Sequence, residues 1–217
     1  MIDNVYFGNI SARALGLVFS SMEISPPEPR RTTVVIPGAH GVLDLSHAIS
    51  EYIIYDERQL QIAFYMKDFK ERWADIYPVI MAAIHGKQHH VIMSDDSDWY
   101  WDAYCTINSI ETQRKFGTVI VNMQCYPYKR KVVETTKTVT LTTGTNTINL
   151  ANNRMEVTPK ITNTAAIAIT EWNGTAVSIA LAAGTHTLAD HVLESGANVI
   201  KMTGTGTVTI EYQEGKL

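Results

Sequence analysis

The chain has 217 residues, of which 45% are hydrophobic and 18% charged, and it is long enough to bury one sizeable core or two smaller ones. The formal net charge of -4 argues against nucleic acid or an anionic membrane as the partner. No apolar stretch approaches the ~20 residues of a membrane helix. The first ten residues lack the pattern of a signal peptide, so we expect a cytosolic product.

The first part of the chain predicts short strands separated by turns. β-Prone residues occupy Val5–Phe7, Leu15–Phe19 and Thr32–Ile36. Between the second and third of these runs, three prolines predict that residues 22–31 form an extended connector, because proline cannot pair in a central strand. Pro37–Gly41 then predicts a tight turn in which two glycines adopt positive φ angles.

A strand and the one helix are predicted next. Apolar and polar residues alternate towards the end of Ile53–Met66, which predicts a sheet strand with one face in a core. A helix is predicted over about residues 68–85, with Asp68 as its cap and Glu71 as the capping-box partner. Pro78 interrupts this pattern, so we expect either a kink or two short helices.

The middle of the chain predicts a short strand, an acidic turn and a long hairpin. The hairpin strands are Trp99–Ile110 and Phe116–Tyr126. If the hairpin folds about residue 115, Cys105 and Cys125 lie opposite each other, since each is ten residues from that centre. We interpret both as reduced, packed residues, and a cross-strand disulfide is the alternative.

The composition changes at residue 131. Of 24 threonines, 19 lie in residues 131–217, whereas only two of the 19 aromatic residues do. This shift predicts a domain boundary between residues 130 and 131. Asn173–Gly174 indicates a two-residue hairpin turn. About seven short strands predict a small β-sandwich over residues 131–217, and they are expected at Lys137–Thr142, Thr145–Leu150, Arg154–Ile161, Ala165–Trp172, Thr175–Leu181, Val199–Met202 and Thr207–Tyr212.

Several motifs, in this order, resemble those of siphophage distal tail (Dit) proteins. They are the turn at Pro37–Gly41, the Tyr-x-x-Arg of Tyr55–Arg58, the Asp-rich turn followed by aromatics in Ser94–Tyr100, and the closing element Cys125–Tyr128. The final residues, 196–212, are similar to the end of the family's galectin-like second domain. The resemblance therefore extends over almost the full length of the chain.

The resemblance implies a mainly β protein with two domains. Residues 1–130 would form a β-rich domain with one helix that builds a homohexameric ring, and residues 131–217 a galectin-like β-sandwich. Such a ring is a structural hub that joins the tail tube protein to tip and tail-associated proteins. The expected location is the virion tail, after assembly in the host cytoplasm. Neither a catalytic activity nor a cofactor is expected.

Four aromatic residues are candidates for binding. On a strand, Trp99 and Trp101 would lie on one face and Tyr100 on the other, so part of this set is predicted to be core and part an oligomer interface. Trp172 is a candidate for stacking on a sugar ring, with packing at the end of the sandwich as the other interpretation. The alternative function is accordingly a carbohydrate-binding module that acts on the host surface through the C-terminal domain.

One cluster of residue types suggests a metal site. His85, His89 and His90 precede the aspartates of residues 95–98, and such residues can ligate a divalent cation. The aspartates are equally typical of a turn, and His85 of a helix end. The sequence also lacks the Gly and closing Glu of a calcium loop. We therefore predict no metal, and no motif for a nucleophile or a phosphate-binding loop is present.

Overall fold

A computed structural model describes residues 2–38, 40–46, 52–67, 73–112 and 116–217. The chain divides into two compact units, Met1–Pro127 and Tyr128–Leu217. Both units are built mainly from antiparallel strands, so the predicted mainly β fold class is confirmed. In the described residues, no helix is both long and apolar enough to cross a membrane.

The first unit is organised around one large antiparallel sheet. Seven of its strands follow the order β2-β1-β7-β8-β9-β6-β3, and β4 pairs with β5 in a separate small hairpin. The strands are β1 Val5–Phe7, β2 Ile10–Ser11, β3 Val18–Ile24, β4 Thr33–Val34, β5 Leu43–Asp44, β6 Arg58–Lys67, β7 Lys87–Met93, β8 Trp99–Thr112 and β9 Phe116–Cys125. A short 3-10 helix covers Ala12–Leu15, where a strand was predicted to begin.

One face of this sheet forms the core of the first unit. Along β6, Leu60, Ile62 and Phe64 are buried, whereas the residues between them point to the other face. Helix α1, Trp73–Ile84, contributes buried Ile80 and Ile84 to the same core. The described helix is continuous and contains Pro78, which excludes two short helices, the second of the two predicted alternatives. The predicted cap residues at positions 68 and 71 lie outside the described residues.

The long hairpin has a different register from the one predicted. Cys125 lies opposite Ala103, and Cys105 opposite Met123, so the two cysteines are diagonal neighbours rather than a facing pair. A β-bulge between Ile107 and Ser109 adds one residue to β8 and displaces the pairing. Both thiols are free and buried, and burial raises the pKa of each to about 12.

The second unit is a β-sandwich. One four-stranded sheet has the order β11-β18-β13-β16 and the other β12-β17-β14-β15, and both contribute to one apolar core. The strands of this unit are β10 Lys129–Lys131, β11 Thr135–Leu141, β12 Thr145–Asn152, β13 Lys160–Asn163, β14 Ile167–Trp172, β15 Thr175–Leu181, β16 Gly184–Thr187, β17 Gly196–Gly204, β18 Gly206–Tyr212 and β19 Gly215–Lys216. β10 pairs with β19, and neither strand belongs to the two sheets of the sandwich.

Most strands predicted for the second unit are present, with some shifted ends. Asn173 and Gly174 connect β14 to β15 with φ angles of 46° and 83°, which confirms the predicted hairpin turn. The strand predicted at Arg154–Ile161 begins only at Lys160. Three strands, β10, β16 and β19, were not predicted, because each has only two to four residues and lacks a clear alternation.

Candidate assembly surface

A long segment of the first unit adds none of its described residues to the core. None of the described residues from 25 to 57, a segment that we call the arm, is buried. The arm nevertheless carries large apolar side chains that are about half exposed or more: Val34, Val35, Ile36, Val42, Leu43, Ile53 and Ile54. The largest exposed fraction among them, 72%, is that of Val35. Exposed apolar side chains that form a patch mark a site of interaction with another protein, and we take the arm as the candidate for such a site.

Backbone pairing gives the arm its shape. β4 pairs with β5 through Thr33 opposite Asp44 and Val34 opposite Leu43. The connecting turn contains Gly38 and Gly41 with φ angles of 85° and 80°, as the sequence predicted. The hairpin therefore holds its apolar side chains in a defined arrangement, although none of the described ones is buried.

Polar contacts fix both ends of the arm. At its base, Arg30 N donates to the Ile54 carbonyl at 2.7 Å, and the Arg30 guanidinium pairs with the Asp56 carboxylate. Further out, Arg31 Nη2 donates to Asp44 Oδ2 at 2.8 Å. These pairs are exposed and contribute little to stability individually. They join the two sides of the arm at Arg30–Asp56 and at Arg31–Asp44.

Asp44 accepts several hydrogen bonds within the arm. Its Oδ1 accepts hydrogen bonds from Ser46 Oγ at 2.6 Å and Ser46 N at 3.0 Å. These bonds, together with that from Arg31, hold the pKa of Asp44 well below its usual range. The local structure thus depends on an ionised carboxylate, which is present at neutral pH.

The aromatic residues predicted as an interface lie mostly inside the first unit. Trp101 is in the core, and Tyr100 is buried on the opposite face, where its ring stacks on His90 at 4.2 Å. The predicted alternation along β8 is therefore present. Only Trp99, which is partly buried, retains some exposed surface for a partner. The arm is a second candidate surface, with more exposed apolar side chains than these three residues provide.

Trp172 is also buried. Its side chain has an exposed fraction of 6%, its Nε1 donates to the Val192 carbonyl at 2.9 Å, and His191 packs against its ring at 5.3 Å. Stacking on a sugar requires an accessible ring face. The arrangement matches the other interpretation, which placed Trp172 in the packing at the end of the sandwich.

The three histidines of the suggested metal cluster have separate neighbours. His85 Nδ1 accepts a hydrogen bond from Ile107 N at 3.0 Å, His89 packs edge-on against Phe7 at 6.0 Å, and His90 stacks on Tyr100. In the turn, Trp99 N donates to the Asp96 carbonyl at 3.1 Å. Within the described ranges, no three His, Cys, Asp or Glu side chains are grouped as metal ligands would be.

No protein-family model matches the sequence, and no curated protein matches it. Among solved structures, the chain is similar to SPP1 Dit (gp 19.1), described as a paradigm of the hub adsorption apparatus in phages that infect Gram-positive bacteria. The TM-score is 0.67, the sequence identity is 14%, and the match covers 99% of each chain. Both units and their order along the chain are included in the match. The chain therefore has the fold of SPP1 Dit over nearly its whole length, as the resemblance to distal tail proteins predicted.

Proposed function

We propose that this protein is a structural hub of a siphophage tail tip. Six copies form a ring that joins the tail tube to the tip or tail-associated proteins, and the protein has no catalytic role. It is assembled in the host cytoplasm and resides in the virion tail. The observation that carries the proposal is the exposed apolar arm in a chain whose fold is that of a phage hub protein along its whole length.

The arm explains how copies of one chain could form a ring. The arm and the sheet are different surfaces of the first unit, so an arm that packs on the sheet of a neighbour makes a contact between unlike patches. Repeated contacts of this type generate a ring when the rotation closes. Strand β3 is a candidate surface for the arm of a neighbouring copy, because it is the last strand at one edge of the sheet.

The molar mass in solution tests the proposal. The full chain has a mass of 24.2 kDa, so a hexamer has 6 × 24.2 ≈ 145 kDa, which light scattering distinguishes from a monomer. Val35→Ser should raise the concentration needed for assembly about tenfold, because it places a hydroxyl in the contact, and should leave the monomer equally stable.

Val133→Ser is a matched control. Val133 is 73% exposed, compared with 72% for Val35, and it lies in the second unit. The Val133→Ser variant should assemble as the wild type does. The proposal fails if the full chain remains at 24.2 kDa at every concentration and forms no rings in negative-stain images, or if the two substitutions reduce assembly equally.

A further inference from the structure

A second surface of the first unit has the features of a small-molecule site. A cavity of about 370 Å³ opens on the face of the sheet that points away from the core, across β3, β6, β9 and β8. The strand register places its polar side chains in two adjacent rows. One row contains Tyr104, Gln124 and Gln59, and the other contains Asn122, Gln61 and Glu23.

Hydrogen bonds fix the orientation of three amide side chains in these rows. Gln61 Nε2 donates to Asn122 Oδ1 at 2.9 Å, and Gln124 Nε2 donates to the carboxylate of Glu57. Gln61 Oε1 and Gln124 Oε1 are left as acceptors, and Asn122 Nδ2 as a donor. The cavity therefore presents a fixed pattern of donors and acceptors before any ligand arrives.

The charge of the lining selects against anions. Neither Lys nor Arg is among the residues that line the cavity, and Glu23 contributes a carboxylate. A phosphate, a sulfated glycan or a nucleic acid would meet repulsion without a compensating cation. An amide pair with one acceptor and one donor matches neighbouring hydroxyl groups, each of which can donate and accept. Tyr104, which is 50% exposed, adds an apolar ring at the edge.

We propose that this cavity binds a short neutral saccharide. Gln61 and Asn122 bind two hydroxyl groups, the carboxylate of Glu23 accepts from a third, and the Tyr104 ring packs against the apolar side of a sugar ring. A peptide is a poorer match, since the side chains of this surface include no large aliphatic residue other than Leu60 and Met123, which belong to the core. The cavity volume is in the range of natural ligand pockets.

Saturation-transfer NMR and calorimetry on the full chain test the proposal. The probes are neutral trisaccharides of glucose, of galactose and of N-acetylglucosamine, with a sulfated disaccharide as the anionic comparison. At least one neutral probe should bind saturably. Tyr104→Ala and Gln61→Ala should each weaken this binding about tenfold or more, the effect of losing one ring contact or one good hydrogen bond.

Tyr65→Ala is the matched control. Tyr65 is 42% exposed, compared with 50% for Tyr104, and it lies on the same face of β6 as Gln61. It does not line the cavity. It should bind the probe as the wild type does, and thermal melts should show that all three variants fold. The proposal is overturned if no neutral probe binds, if the sulfated probe binds more tightly, or if Tyr65→Ala causes the same loss.

Discussion

Arg58 is a charged residue in the interior of the first unit. Its guanidinium carbon lies 4.8 Å from the centre of the Trp101 ring, Nε donates to the Ser25 carbonyl at 3.0 Å, and Nη1 donates to the Pro127 carbonyl at 3.3 Å. Burial lowers the pKa of Arg58, although an arginine remains protonated at neutral pH. Arg58 thus ties the segment after β3 and the end of β9 to the core.

Removing this side chain should destabilise the protein. Arg58→Ala should lower the free energy of unfolding by about 3 kcal/mol, because two carbonyl groups lose a charged donor and Trp101 loses its cation. Arg58→Lys should recover less than half of this loss, since an ammonium cannot reproduce the planar donor geometry. Urea denaturation measures both effects. Arg13→Ala, which removes an exposed pair with Asp3, should change the free energy of unfolding by less than about 0.5 kcal/mol.

Glu214 is a buried carboxylate in the second unit. Desolvation raises its pKa, but hydrogen bonds from Lys131, Thr135 and Asn153 lower it by more, so the net shift is downward. Because the folded-state pKa lies below the unfolded value of about 4.5, the ionised group stabilises the fold fully above that pH. The stabilisation is lost as the pH falls through the folded-state pKa.

Glu214→Gln should therefore change the pH dependence of stability. At pH 7 the variant should unfold at a lower urea concentration, since the Lys131 ammonium keeps no carboxylate partner there. Below about pH 4.5 the wild type should lose stability more steeply than the variant. Urea midpoints measured from pH 7 to pH 3 give both curves, and parallel curves would show that Glu214 does not titrate as described.

At the scale of the strand and helix, the sequence predicts the features that depend on a few neighbouring residues. Alternation predicted the buried face of β6, and Asn173–Gly174 predicted the turn between β14 and β15. The facing pair of cysteines was wrong because Thr112 pairs with Gly117 rather than with Thr118, and the bulge after Ile107 shifts the pairing by one more residue. Neither shift has a sequence signal. The rows that line the polar cavity depend on the pairing of four strands, which no local pattern contains.

In the arm, too, local features were predicted from the sequence and the exposure of side chains was not. Its prolines predicted an extended connector, and its two glycines predicted the turn. Its apolar residues, such as Val35 and Ile36, suggest a buried strand when only the sequence is known, because exposure depends on what the rest of the chain leaves uncovered. The candidate interface was assigned to Trp99, Tyr100 and Trp101 because Trp and Tyr are enriched at interfaces, and two of these three side chains, Tyr100 and Trp101, are buried within the first unit.

Gly204, at the turn between β17 and β18, and Gly144, between β11 and β12, should differ in their tolerance of a side chain. Gly204 and Gly144 both have positive φ angles, 135° and 103°, but only Gly204 lies against other backbone atoms. A Cβ on Gly204 would be 3.0 Å from the Ala166 carbonyl oxygen, whereas one on Gly144 would meet nothing within 4 Å. Gly144→Ala should cost about 1 kcal/mol and Gly204→Ala at least about twice that. Thermal melts of both variants measure the difference, and equal losses would exclude the backbone contact as the cause.

For the whole molecule, the division into two units predicts how fragments behave. Residues 1–127 retain the sheet, helix α1 and the arm, so this fragment should still assemble if the first unit builds the ring. Residues 128–217 contain a complete sandwich with its own core and should fold as a monomer. Light scattering of each fragment checks this, and an oligomeric second fragment beside a monomeric first one would reverse the assignment.

The position of the cut matters in this experiment. The sequence predicted a boundary after residue 130, but β10 begins at Lys129 and pairs with β19 at the end of the chain. A fragment that starts at residue 131 lacks most of β10 and leaves β19 without its partner. It should melt at a lower temperature than residues 128–217, because Gly215 and Lys216 then lose their pairing.

The absence of buried residues in the described part of the arm has a consequence for the lifetime of an unassembled chain. Proteases cut segments that can leave the protein surface without unfolding a core, and residues 25–38, 40–46 and 52–57 of the arm meet that condition. A newly made copy that has not yet found its neighbours should be cleaved there, whereas copies covered by neighbours should resist. Digestion would then remove surplus subunits selectively, and the protein that survives would be the fraction already incorporated.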